Sequence, residues 1–118
     1  MRVVERAEEK ISPWVTLVAN AIETTKGKLE TYHSIGQADY VGILAITIDG
    51  KIPLIEQYRL ACNTTTLELP GGLLKKDEVP ANCAVRELIE EVGLKADPSK
   101  PILLCKLKPD TGRLENNL

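Results

Sequence analysis

At 118 residues the chain has room for one domain and little more. Hydrophobic residues make up 43% and charged residues 27%, the balance of a globular chain and not of a disordered one. Fifteen basic residues against seventeen acidic leave a net charge of −2, which excludes a nucleic-acid binder working through bulk positive charge and a polybasic membrane adapter.

No apolar run approaches the ~18 residues of a membrane-spanning helix. Met1–Arg6 carries an acid at Glu5 and has no apolar signal core, so the expected location is cytoplasmic. Cys62, Cys83 and Cys105 are odd in number, widely spaced and free of any CxxC pair, which argues for three reduced thiols and against a disulfide framework or a zinc site. There is no Phe and aromatics total 3%, so a core built from this chain alone is thin. That predicts a partner subunit or an incomplete chain.

In chain order, residues 1–38 alternate β-like runs with turns. Trp14–Ile22 and Lys28–Ile35 flank Thr25-Lys26-Gly27, a tight-turn signal, and Pro13 marks a strand start or edge. Tyr40–Ile48 is almost all apolar, as a strand covered on both faces would be. Asp49-Gly50 is a hairpin signal, with Ile52–Tyr58 as the returning strand. A short strand at Leu67–Leu69 runs into Pro70-Gly71-Gly72. Pro80–Val92 is the one convincing helix, with Pro80 suited to its first turn and Gly93 to the residue just past its end. Val79, before Pro80, lacks a capping side chain. Ile102–Leu107 reads as a last strand before the turn Pro109–Gly112.

Helical spacing sorts Pro80–Val92 into two stripes. Ala81, Ala84, Val85, Leu88, Ile89 and Val92 form an apolar face suited to packing on a sheet. Glu87, Glu90 and Glu91 form a neighbouring acidic stripe, where like charges repel by roughly 0.2–0.5 kcal/mol per pair. Such a stripe is either a solvated face or a place where a divalent cation relieves the repulsion, since hard carboxylate oxygens suit Mg²⁺ or Mn²⁺. Gly71-Gly72 upstream supplies backbone able to approach a metal or a phosphate, which points to a metal–phosphate substrate.

From Gly72, five residues lead to Glu78 and seven more to Arg86, and the run continues Arg86-Glu87-Leu88-Ile89-Glu90-Glu91-Val92-Gly93-Leu94. This resembles, at every position, the Nudix box G-x5-E-x7-R-E-U-x-E-E-x-G-U, with U apolar. A chance match is on the order of one in ten million for a chain of this length. Asp39-Tyr40-Val41, Glu56-Gln57-Tyr58-Arg59, Leu67-Glu68-Leu69-Pro70-Gly71-Gly72 and Pro109, fifteen residues past Leu94, resemble the ADP-ribose pyrophosphatase branch of the Nudix hydrolases.

The resemblance implies an α+β Nudix fold: a mixed β-sheet packed with the Nudix helix in an α/β/α sandwich, incomplete at the C-terminus. It implies a partial Nudix domain at 39–118 behind an N-terminal antiparallel sheet at 1–38, through which two copies form a homodimer. Glu87, Glu90 and Glu91, with the carbonyl of Gly71, are implied as ligands of Mg²⁺, or Mn²⁺. Gly72, Glu78, Arg86 and Gly93 are implied as structural, with Arg86 paired to Glu78. Arg59 is implied as a contact of the substrate pyrophosphate, and Glu68 as an orienter of the glycine loop.

The implied reaction is Mg²⁺-dependent cleavage of ADP-ribose, or a related nucleoside diphosphate sugar, to AMP and a sugar phosphate; GDP-mannose and nucleoside triphosphates are further substrate classes. The alternative is a truncated, non-catalytic fragment or nucleotide-binding module, because Asp97, Asp110 and Glu115 are poorly placed as a base. On that ground the chain as given is expected to hydrolyse ADP-ribose poorly or not at all. His33 reads as a surface or interface side chain, and Trp14 as a packing anchor of the N-terminal sheet, with adenine stacking as the lesser reading. Neither nucleic acid nor membrane is an expected partner.

Overall fold

The computed structural model describes residues 1–118. The chain divides into two compact units, one formed by Met1–Asp39 with Lys106–Leu118, the other by Tyr40–Cys105.

The first unit is built on an antiparallel sheet of β1 (Arg2–Lys10), β2 (Thr16–Glu23) and β3 (Leu29–Gly36), with β2 in the middle. The strands register Lys10 with Thr16 and Thr16 with Gly36, and an irregularity between Val3 and Glu5 bends the start of β1. The turn after β2 closes as its residues require: the Gly27 amide donates to the Thr24 carbonyl at 2.9 Å and Gly27 takes φ +75°. Val18 and Ser34, directly opposed on β2 and β3, are the buried pair of the sheet.

Residues 113–115 dock on β3 as a short parallel bridge, Ile35 with Leu114. Arg6 holds Glu115 through two bonds of 3.1 and 2.7 Å, and the Ser34 hydroxyl donates to the same carboxylate at 2.5 Å. Asp39 accepts from the Asn117 amide and side chain, each at 2.7 Å, and these bonds hold its carboxyl below the usual range. Glu115, whose place near the last residue suggests fraying, is thus fixed. Trp14 is 67% exposed in the turn between β1 and β2, so it anchors no packing within the chain. His33 is exposed, as expected of it.

In the second unit β4 (Tyr40–Gly42) pairs antiparallel with β7 (Gly71–Leu73), and β5 (Ile55–Arg59) pairs antiparallel with β6 (Thr64–Glu68). The helix α1 (Pro80–Val92) packs on β7 and β4. Cys83, Leu88 and Pro70 are the most buried side chains of this unit. The helix ends on Gly93 in the left-handed region at φ +69°, which an L side chain adopts only under strain.

Three expectations need correction. Tyr40–Ile48 forms ladder bonds only over Tyr40–Gly42; Leu44, Ile46 and Ile48 alternate outward and are exposed, so the segment is not covered on both faces. The Asp49-Gly50 turn still closes, with Thr47 and Lys51 bonded across it, but no strand continues from it before Ile55. Ile102–Leu107 pairs with no strand, and Ile102–Leu104 are exposed. Hydrophobicity alone set those two spans, and a ladder also needs a neighbour in register.

The helix face differs too. Ile89 is 44% exposed, whereas Cys83 is wholly buried, so the packed face is rotated toward the acidic stripe.

The start of α1 generates a prediction. Val79 has extended backbone suited to a cap and makes no side-chain cap bond. Val79→Ser should satisfy an orphan amide and add about 1 kcal/mol of stability, read as a raised midpoint in thermal denaturation. An unchanged or lowered midpoint would contradict the cap geometry.

Candidate functional site

Two glycines let three elements meet. A Cβ on Gly71 would lie 2.2 Å from the Val41 carbonyl oxygen of β4, and one on Gly72 would lie 2.3 Å from the Glu87 carboxylate. With no side chains there, the acidic stripe of α1 closes directly on the β7 backbone, which is why the packed face is rotated from the purely apolar one. Glu91 accepts the Gly71 amide at 2.8 Å. The Cys83 thiol sits 3.6 Å from the Leu73 carbonyl, and burial pushes its pKa up to about 11. It is therefore a neutral packing group and not a nucleophile.

Arg86 is the hub of the helix. Its Nε and Nη2 form a fork on Glu78, both at 2.9 Å; Nη1 donates to Glu87 at 2.5 Å and to Glu90 at 3.2 Å. Nη2 also reaches the Leu73 carbonyl and the Cys83 sulfur, both at 3.3 Å. Every face of the guanidinium is taken, so no edge is left for a phosphate. Beside Arg86, and bonded by the Lys75 amide, the Glu78 carboxyl is held down to about 2. The reciprocal Lys75–Glu78 bonds close the loop before the helix, where Asp77 takes φ +61°.

Arg59 and Glu68 form a second fork, Nε to Oε1 at 2.8 Å and a shorter Nη2–Oε2 bond. Thr66 Oγ1 bonds the same carboxylate and lies 3.1 Å from the Gln57 carbonyl. With Arg59 first and Thr66 second as causes, Glu68 is held at about 2. A cleft of about 470 Å³ joins Tyr40, Gln57, Arg59, Glu68, Gly71 and Glu91.

Arg59, Glu68, Gly71, Gly72 and Glu91 thus line one cleft, and Glu87 lies against Gly72. Glu90 sits at the outer edge of the stripe with more than half its side chain exposed. Glu78, Arg86 and Gly93 hold the loop, the helix and its end. Tyr40 and Gln57, quoted in the flanking motifs without a role, line the cleft, and Thr66 and Cys83 are additions that motif spacing did not single out. Strand alternation, which puts Thr66 on the face of Glu68, and the i, i+3 step from Cys83 to Arg86 were the available signals.

No three acidic, histidine or cysteine side chains converge as a ready-made metal cage. Glu87 and Glu91, one turn apart against the glycine strand, nevertheless offer the hard oxygen donors a divalent ion takes, and Mg²⁺ commonly uses one or two carboxylates with water and phosphate completing its shell. The carboxylates after the helix are engaged elsewhere: Asp97 by Ser99, Asp110 by the Gly112 amide, Glu115 by Arg6 and Ser34.

The Glu78 carboxyl sets a pH prediction. Its pKa falls from 4.5 to about 2 on folding, so its stabilising effect is complete above 4.5 and is lost as pH falls toward 2. Glu78→Gln should lower the thermal midpoint at pH 7 and fall less steeply than the parent between those limits. Parallel curves for the two proteins would contradict the fork.

Residues 36–115 match the NUDIX domain family. The chain is 35% identical over 82 residues to the ADP-ribose pyrophosphatase of Bacillus subtilis, covering 70% of this chain and 44% of that protein. It is 41% identical over 71 residues to the ADP-ribose pyrophosphatase of Mycobacterium tuberculosis, covering 59% and 34%. It is 34% identical over 95 residues to the methanol dehydrogenase activator of Bacillus methanolicus, covering 80% and 51%. The chain therefore spans about half the length, or less, of these relatives. A crystal structure of an ADP compounds hydrolase superposes with a TM-score of 0.81 at 23% identity, over 98% of this chain and 62% of that one, which shows a shared fold. The family match takes in the glycine strand, the whole of α1 and more than half of the chain, which belongs to the NUDIX family.

Proposed function

We propose that this chain carries the metal- and pyrophosphate-binding site of a Mg²⁺-dependent hydrolase that splits ADP-ribose, or a related nucleoside diphosphate sugar, into AMP and a sugar phosphate. The observation that carries the reading is the convergence of Glu91, Arg59 and the bare Gly71-Gly72 backbone on one cleft, with Glu87 pressed on Gly72. Opposite charges at one glycine edge suit a phosphate chain that arrives with a divalent cation.

Glu87 and Glu91, with the Gly71 carbonyl, would hold Mg²⁺, or Mn²⁺ in its place, and Glu90 would share a second ion. A bound ion supplies Lewis acidity at the phosphoryl oxygens. Arg59 binds and orients the pyrophosphate, and Arg86, with every face engaged, keeps the carboxylates in place. Three free cysteines and the absence of a long apolar helix are compatible with a cytoplasmic setting. Pairing of two copies through the N-terminal strands remains part of the reading; β1, exposed along its whole length, is the open edge available to it.

One observation favours a second reading. Asp97 accepts from Ser99, Asp110 from the Gly112 amide, and Glu115 from Arg6 and Ser34, so each carboxylate beyond the helix already has partners of its own and none stands free as a base. Binding of the nucleotide without turnover would follow.

Release of AMP from ADP-ribose, with Mg²⁺ and with chelator, tests the reading. The expected result is Mg²⁺-dependent release that falls by about 100-fold or more in Glu91→Gln, the scale of several kcal/mol of lost transition-state stabilisation. Mg²⁺-dependent binding without release would select the second reading. Neither release nor binding would overturn both.

A further inference from the structure

Arg59 and Glu68 stand at opposite ends of their hairpin. The register opposes Arg59 to Thr64 and Ile55 to Glu68, with Gln57 and Thr66 between them. Strand alternation places all six on one face. An ordinary cross-strand contact would therefore join Arg59 to Thr64. Instead the guanidinium reaches back along the hairpin, past the Gln57–Thr66 pair, and forks onto Glu68 at the end that leads through Leu69 and Pro70 to Gly71. Glu91 adds to the negative field that the guanidinium feels there.

The geometry points to Glu68, braced by Thr66, as a positioning residue that turns the Arg59 guanidinium to the glycine end of the cleft and fixes which of its edges is free. The inference rests on the reading that Arg59 binds the pyrophosphate. A guanidinium has five N–H donors. Glu68 takes Nε and one hydrogen of Nη2, which leaves both hydrogens of Nη1 and the second of Nη2. One hydrogen of Nη1 and the second of Nη2 lie side by side on the guanidinium's end-on edge, the shape that pairs with two phosphate oxygens at once. Thr66 Oγ1 bonds Glu68 Oε1, the oxygen that also accepts Arg59 Nε, and so limits rotation of the carboxylate. Glu68 is thus no rival for the anion site, although it carries the same charge as the anion.

By simple charge, removing a carboxylate near an anion site tightens anion binding. If Glu68 positions Arg59, removing it weakens binding. Calorimetric titration of the full chain with inorganic pyrophosphate in Mg²⁺ reads the difference, with far-UV circular dichroism checking each variant's fold. Arg59→Ala should weaken binding by about tenfold or more, and Glu68→Gln by about three- to tenfold, the range of an oriented, charge-assisted fork. Thr66→Val should weaken it by about two- to threefold, with Thr66→Ser restoring it, because Ser keeps the hydroxyl. In an Arg59→Ala background, Glu68→Gln should no longer weaken binding.

Tighter or unchanged pyrophosphate binding in Glu68→Gln, with Arg59→Ala still weak, would overturn the positioning role while sparing the reading of Arg59. Unchanged binding in Arg59→Ala would overturn that reading and this inference with it. Should Glu68→Gln not fold, the Thr66→Val and Thr66→Ser pair decides alone: equal affinities in those two would contradict the brace.

Discussion

A helix that carries Glu87, Glu90 and Glu91 on one stripe places three negative charges within two turns, and the rest of the site depends on how that repulsion is met. Arg86 meets most of it. One guanidinium binds two of the three helix carboxylates, forks onto Glu78 in the preceding loop and touches the Leu73 carbonyl of the glycine strand. The loop, the strand and the helix are therefore fastened at a single cation. Lysine could not substitute, since its ammonium is a point charge with three donors and no planar fork. The third carboxylate, Glu91, is met by a backbone amide instead, at Gly71.

The second constraint is the absence of side chains on Gly71 and Gly72. Gly71 is required by the β4 backbone, which cannot give way, whereas a methyl group on Gly72 would displace the Glu87 carboxylate from the strand. Their bareness explains why Glu87 and Glu91 reach the sheet beside the buried Cys83 and Leu88. It also leaves the Glu91, Gly71 and Arg59 groups around one cleft, which holds both a cation and an anion. Arg59 and Arg86 divide the work: the first keeps an edge free, the second keeps none.

Some of this was legible in the sequence and some was not. The bounds of α1 were readable because Pro80 and Gly93 are local signals whose backbone demands do not depend on packing. The turns at Gly27 and Gly50 were readable for the same reason. The α+β class followed from the family resemblance. Strand extents were not readable: Tyr40–Ile48 and Ile102–Leu107 look like strands by composition, yet a ladder depends on a partner that the segment itself does not specify. The rotation of the helix face was hidden because a hydrophobic stripe assumes a neighbour with side chains. Tertiary bonds from Arg6 to Glu115 and from Asp39 to Asn117 join residues too far apart in sequence for any spacing rule. The reach of Arg59 to Glu68 was hidden too, since it runs along the hairpin instead of across it.

On the proposed reading, a divalent ion and a pyrophosphate meet at the glycine strand. The most direct measurement is paramagnetic broadening of backbone amide signals by Mn²⁺ in the presence of ADP-ribose. The account predicts that Gly71, Gly72 and the Glu87–Glu91 turn broaden first, with Arg59 close behind. Broadening that begins elsewhere, or that is spread evenly over the exposed acids of β1, would contradict it.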